Sequence, residues 1–150
     1  MLIMDFDISV KQAVYSLVAA SGAMPDSSRV ADEVGASVKE VEEAFARLHK
    51  KRLLVPEPND PSRIRMAPPF SGVPTPFLVK ARRNAYYANC VWDALGVSAA
   101  LHADAVVEAA DAHTNEPMTL EIRGGSPLPQ ECVIHFAVPA AKWWDDIIYT

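Results

Sequence analysis

The chain has little of what would mark a secreted, membrane-spanning or nucleic-acid-binding protein. Only two of its 150 residues are cysteine, Cys90 and Cys132. They stand too far apart for the close pairs of a zinc ribbon, and two are too few for a secreted disulfide framework. None of the four histidines (His49, His102, His113, His135) has metal-ligand spacing to another histidine or to a cysteine. No apolar run approaches the length of a membrane span. Lysine and arginine number 14 against 19 acids, a net charge of −5, which argues against a nucleic-acid partner. The opening residues 1–7, MLIMDFD, carry acids where a signal peptide would carry lysine or arginine. The expected setting is cytoplasmic, with no membrane and no nucleic acid. The sequence also lacks a phosphate-cradling glycine loop, a nucleophile elbow, an internal repeat and a low-complexity tract.

What remains is enough for a core. Half of the residues are hydrophobic and 22% are charged, so the chain is not disordered; its length suits one domain or two small ones sharing a core. Val10, Ala13, Val14, Leu17 and Val18 recur at helical spacing, predicting a helix that starts near residues 7–9 and ends before Gly22. A short second helix is expected over 29–34, opened by PDSS at 25–28 and closed by Gly35. Ser37 and Glu40 form a capping box for a third helix, whose buried face would be Val38, Val41, Phe45 and Leu48. Lys50, Lys51 and Arg52 suit its last turn. Residues 53–55 and 64–66 would pair as short strands around a turn-rich 56–62. Three helices and a β-ribbon make a winged-helix pattern over residues 1–66. Glu40, Glu42 and Glu43 on the third helix would face phosphates, so a structural module fits better than a DNA reader.

Seven of the 12 prolines fall between Pro56 and Pro76. That stretch therefore cannot be regular helix or a central strand, and residues 67–80 are expected as a proline-rich packed loop. Their apolar members Phe70, Val73 and Phe77 favour a packed loop walling a pocket over a flexible linker. Further on, strands are expected at 105–109, 118–122 and 131–137, with turns at 114–117 and 124–127, giving a small antiparallel sheet. Residues 139–146 would add one helical turn, with Trp143 and Trp144 packed. The expected class is α+β: an N-terminal winged-helix-like module, then a helix and a small antiparallel sheet over 81–150.

The chemistry centres on residues 84–96, NAYYANCVWDALG. Read as a helix stopped by Gly96, this stretch sets Cys90 and Asp93 on one face, a soft sulfur beside a proton source. The alternative is a buried free cysteine and a solvated acid. Cys132 would share a strand face with Ile134 and Phe136, as a core cysteine or as a second sulfur meeting Cys90. His49 and His113 read as surface residues, while His102 and His135 stay open. Asp145 and Asp146 read as a solvated pair, since adjacent acids on a helix do not face each other.

Three segments in order resemble one family. Residues 86–96, YYANCVWDALG, look like the first active-site segment of the organomercurial (alkylmercury) lyases. IRMAPPFSGVPTPF at 64–77 resembles the segment before it, and VIHFAVPAAKWWDDIIYT at 133–150 the segment after it. The resemblance implies protonolysis of a carbon–mercury bond, with two cysteines binding mercury and one aspartate handling the proton. Cys90 and Asp93 match the first cysteine and the aspartate. The second cysteine is expected just after the segment that ends at Thr150. That leaves a fragment, a shortened relative, or replacement by Cys132 as readings. No resident cofactor is implied; mercury enters as substrate or product ion, with an external thiol. The rival readings are a protein that binds a soft metal or small organic ligand without turnover, and a winged-helix regulator with a ligand-sensing C-terminal half.

Overall fold

A computed structural model describes residues 5–149. The signal-peptide reading of the first residues and the final threonine of the last motif therefore lie partly outside the described residues. Helix α1 spans Asp5–Ser21, α2 Ser27–Val34 and α3 Val38–Lys50. Both ends of α2 and the start of α3 have a local cause. Asp26 accepts from the Arg29 amide to start α2, and Gly35 ends it in the left-handed region (φ 69°). Ser37 and Glu40 complete the expected capping box. Eight residues cannot hold a helix alone; α2 persists because Val30 and Ala31 are buried against the other two helices. The buried face of α3 is Val41, Ala44, Phe45 and Leu48. Val38, expected among them, is 42% exposed.

Strands β1 (Val55–Glu57), β2 (Asp60–Ala67) and β3 (Phe70–Ser71) form an antiparallel sheet in that order. Val55 pairs with Met66, as expected, but the ladder runs on through Pro56 and Glu57, so the turn is much tighter than 56–62. Proline does not prevent this on a short edge strand. The proline-rich loop then folds back: Phe70 pairs with Ala67 and bridges to Ala88.

The second sheet contains β4 (Leu78–Ala81), β5 (Asn84–Tyr87), β6 (Ala105–Ala110), β7 (Pro117–Arg123) and β8 (Ser126–Leu128), in the order β5-β4-β6-β7-β8, all antiparallel. Helix α4 (Val91–Leu101) packs on β4 and β6 through Ala94, Val97 and Leu101. Three expectations are corrected here. Residues 78–80, expected in the packed loop, are strand, because β4 finds partners on both sides in β5 and β6. Residues 84–87 are strand rather than helix, and Gly96 lies inside α4 rather than after it. Glycine inside a helix costs only about 1 kcal/mol, and burial of Val97 and Leu101 beyond it offsets that. A side chain at 96 would meet Pro69 at 3.1 Å, so glycine is what lets α4 approach the loop. The helix ends instead at His102, in the left-handed region with φ 48°.

The third strand is also corrected. Gly124 and Gly125, both at positive φ, make a two-residue hairpin, and β8 follows at once. With that sheet edge taken, 131–137 is not strand, and all seven of its residues are exposed. A 3₁₀ helix, Ala140–Asp145, follows. Trp143 and Trp144 are half-buried, and Asp145 and Asp146 are exposed.

The buried residues form two clusters, one among α1–α3 and β2, the other between α1, α4 and the second sheet. Tyr15 and Met24 pack against both. The phenol of Tyr86 on β5 donates to Ala19 O of α1 at 2.7 Å, tying the two sheets' elements through the first helix.

Candidate active site

Cys90 does not project from a helical face. It is the residue that caps α4, in extended backbone (φ −151°, ψ −179°), and its carbonyl accepts the first helical bond from Ala94 at 2.9 Å. Asp93 sits in the first turn, where a negative charge suits the helix dipole. The two expected residues are thus neighbours at a helix N-terminus, through a cap and not through a shared face.

Both are half-buried, and burial sets their chemistry. Removal from water is the largest influence on the Cys90 thiol and pushes its pKa up. The Asp93 amide opposes this, the Asp93 charge reinforces it, and the Trp92 amide opposes it again. Burial likewise raises the pKa of the Asp93 carboxyl, against a hydrogen bond from Asn89. Burial thus raises both pKa values, of a thiol and a carboxyl, at neighbouring positions.

Three residues that the sequence reading did not assign to the site complete it. Asn89 Nδ2 donates to Asp93 Oδ2 at 2.9 Å and to Phe70 O at 3.3 Å. Phe70 packs its ring against Tyr15 (6.2 Å) and Tyr86 (5.6 Å). The Tyr15 hydroxyl donates to Pro68 O at 2.7 Å, and its pKa is pushed up to about 12, first by burial and then by the Asp93 charge. Asn89 had a signal, four residues before Asp93; Tyr15 had none, because only folding brings α1 to this loop.

Cys132 is not the buried strand residue that alternation predicts. It is exposed, in irregular chain. Its segment nevertheless leans on the site's helix: Phe136 stacks edge-on to Trp92 at 6.3 Å and lies 5.3 Å from Trp143. Of the histidines, His113 and His135 are exposed. His49 is also exposed, beside Trp144. His102 lines a cleft of ≈ 760 Å³ with Trp92, Leu95, Ala99 and Pro127. The proline-rich loop does not line that cleft; it packs on α4 at Gly96. Among the described residues, no group of three or more His, Cys, Asp or Glu converges to hold a metal ion. No described helix is long and apolar enough to cross a membrane.

Comparison with known proteins identifies a family and a fold. The family described as "MerB: Alkylmercury lyase" matches residues 70–150, more than half of the chain. The solved structure titled "Crystal structure of the mercury-bound form of MerB2" superposes with a TM-score of 0.66 at 21% identity, over 85% of this chain and 62% of that one. The chain thus spans less than two thirds of that protein's length, and the likeness concerns the fold. No curated protein sequence matches it.

Proposed function

The chain belongs to the alkylmercury lyase family, and on that premise we propose that it cleaves carbon–mercury bonds by protonolysis. The observation that carries this is the pairing of Cys90 and Asp93 at the start of α4 inside the family-matching region. Thiolate is the soft ligand that mercury prefers. Cys90 gives its proton to the Asp93 carboxylate as its sulfur binds the mercury of the substrate. Asp93 then hands that proton to the bound carbon. The carbon–mercury bond breaks with its electron pair going to carbon, a carbon–hydrogen bond forms, and mercury leaves in the same oxidation state.

A second thiolate would push more electron density toward the carbon. Cys132 is the chain's own candidate, since Phe136 anchors its segment to Trp92, two residues from Cys90. A small external thiol is the other, and would also remove the product ion. A cytoplasm that keeps both cysteines reduced is the setting this chemistry requires. Residues 1–66 act in this reading as a structural winged-helix-like module. Glu40 and Glu43 lie exposed on α3 and would repel a phosphate backbone.

The exposure of Cys132 favours one rival, capture of a soft metal by Cys90 without turnover. One assay separates the two: benzene release from phenylmercury with excess small thiol, beside Cys90→Ser. Release that depends on Cys90 supports lyase activity. Mercury bound through Cys90 with no benzene released leaves the binding reading.

A further inference from the structure

We infer that Asn89 is a positioning residue for the proposed reaction, fixing the Asp93 carboxylate so that one chosen oxygen faces the reacting atoms. The inference rests on the proposed function for its purpose, but on geometry for its content. The Asn89 side chain has two N–H donors, and both are committed. One holds Asp93 Oδ2 at 2.9 Å, the other Phe70 O at 3.3 Å. Two acceptors on the nitrogen side fix which way the amide points, because a flip would set oxygen against oxygen. With Oδ2 held, Oδ1 of Asp93 is the oxygen left to carry a proton.

The cost of this arrangement is visible. Asn89 Oδ1 is buried and has no hydrogen-bond partner. A stranded acceptor of this kind forfeits the hydrogen bonds it would make in water and destabilises the fold. An amide kept only for stability would not leave its oxygen unpaired, since an apolar side chain of similar shape avoids the penalty. The anchor is also well placed to be rigid. Phe70 is buried, paired with β2, bridged to Ala88 and packed between two tyrosine rings. Asp93 is therefore referenced, through one amide, to the sheet of the N-terminal half.

The test uses Asn89→Ala and the isosteric Asn89→Asp in the full chain. With phenylmercury and excess thiol, Asn89→Ala should lower kcat by about 10²-fold, the typical cost of a misplaced catalytic group. KM and mercury(II) binding should not change, and thermal stability should hardly fall, because the loss of two hydrogen bonds is offset by removal of the stranded oxygen. Asn89→Asp, which sets a second carboxylate against Asp93, should lower kcat at least as far. An unchanged kcat in a folded Asn89→Ala protein overturns the inference, as does an equal loss of kcat and mercury binding. A second arm needs no turnover. In the ¹H–¹⁵N spectrum of the wild-type chain, one Asn89 side-chain amide proton should lie downfield and exchange slowly. Asp93→Ala should abolish that signature. If it does not, the contact is absent and the inference fails, whatever the chain does with phenylmercury. If no benzene is released by the wild type, the proposed function fails by itself, and the amide signal alone decides the role of Asn89.

Discussion

The phenol of Tyr15, on the first helix, donates to the carbonyl of Pro68 at 2.7 Å, 53 positions away in sequence. Pro69, the next residue, is the one that α4 approaches at Gly96. The helical half thus holds the loop against which the site's own helix is seated. Tyr15→Phe keeps the ring and removes the bond. It should cost about 1 kcal/mol, seen as a fall in Tm of about 2–4 °C for a domain of this size. Tyr15 also keeps its proton to about pH 12. An unfolded tyrosine loses it near pH 10, so the Tyr15 contribution is present below pH 10 and is lost as pH rises toward 12. Wild type should lose stability across that window more steeply than Tyr15→Phe, measured by denaturant unfolding at each pH.

Asp93 is expected to trade stability for chemistry. Its folded pKa is raised above the ordinary carboxylate value by burial. A raised acid costs stability once pH passes its unfolded value, and the cost grows until pH passes the folded one. Asp93→Asn should therefore unfold at a higher temperature than wild type at neutral pH. The advantage should shrink on acidification, as wild-type Asp93 takes up its proton. The same variant should release no benzene from phenylmercury. A neutral-pH Tm below that of wild type would contradict the burial argument.

The two thiols should differ in reactivity. Cys132 is exposed, whereas Cys90 is half-buried with its pKa pushed up. At neutral pH iodoacetamide should label Cys132 first, and labelling of Cys90 should accelerate only in the alkaline range. Mass spectrometry of peptides over a time course reads this directly. Cys132→Ser should change stability by less than about 0.5 kcal/mol, as exposed substitutions usually do. A drop in phenylmercury turnover without that stability loss would assign the second thiolate to Cys132.

Asp7 and Arg47 join α1 to α3. Arg47 Nε and Nη2 both donate to the Asp7 carboxylate, the closest contact being 2.8 Å, and Asp7 is buried. Asp7→Ala leaves a guanidinium facing the core without its partner and should cost about 3 kcal/mol, the lower end for breaking a buried pair. The low end applies because a third of the Arg47 side chain reaches water. Denaturant unfolding should show the loss as a lower midpoint with an unchanged slope.

The sequence by itself determined the elements whose signals are local. Helices α1 to α3 with their caps, the β1–β2 pairing and strands β6 and β7 were all legible, because side-chain period, capping residues and turn glycines act over a few positions. It also determined the class, α+β, and drew attention to Cys90 and Asp93. Only the tertiary structure decided how those two meet. A sequence of mixed propensity at 84–96 became strand, cap and helix because β5 found β4 as a partner and α4 found the sheet to cover. Gly96 did not stop the helix because burial beyond it outweighs its local cost. The alternating run around Cys132 did not become strand because β8, placed by a two-glycine hairpin, already holds that edge. Phe70 and Tyr15 entered the site through contacts 19 and 53 positions long, distances over which no local pattern carries information.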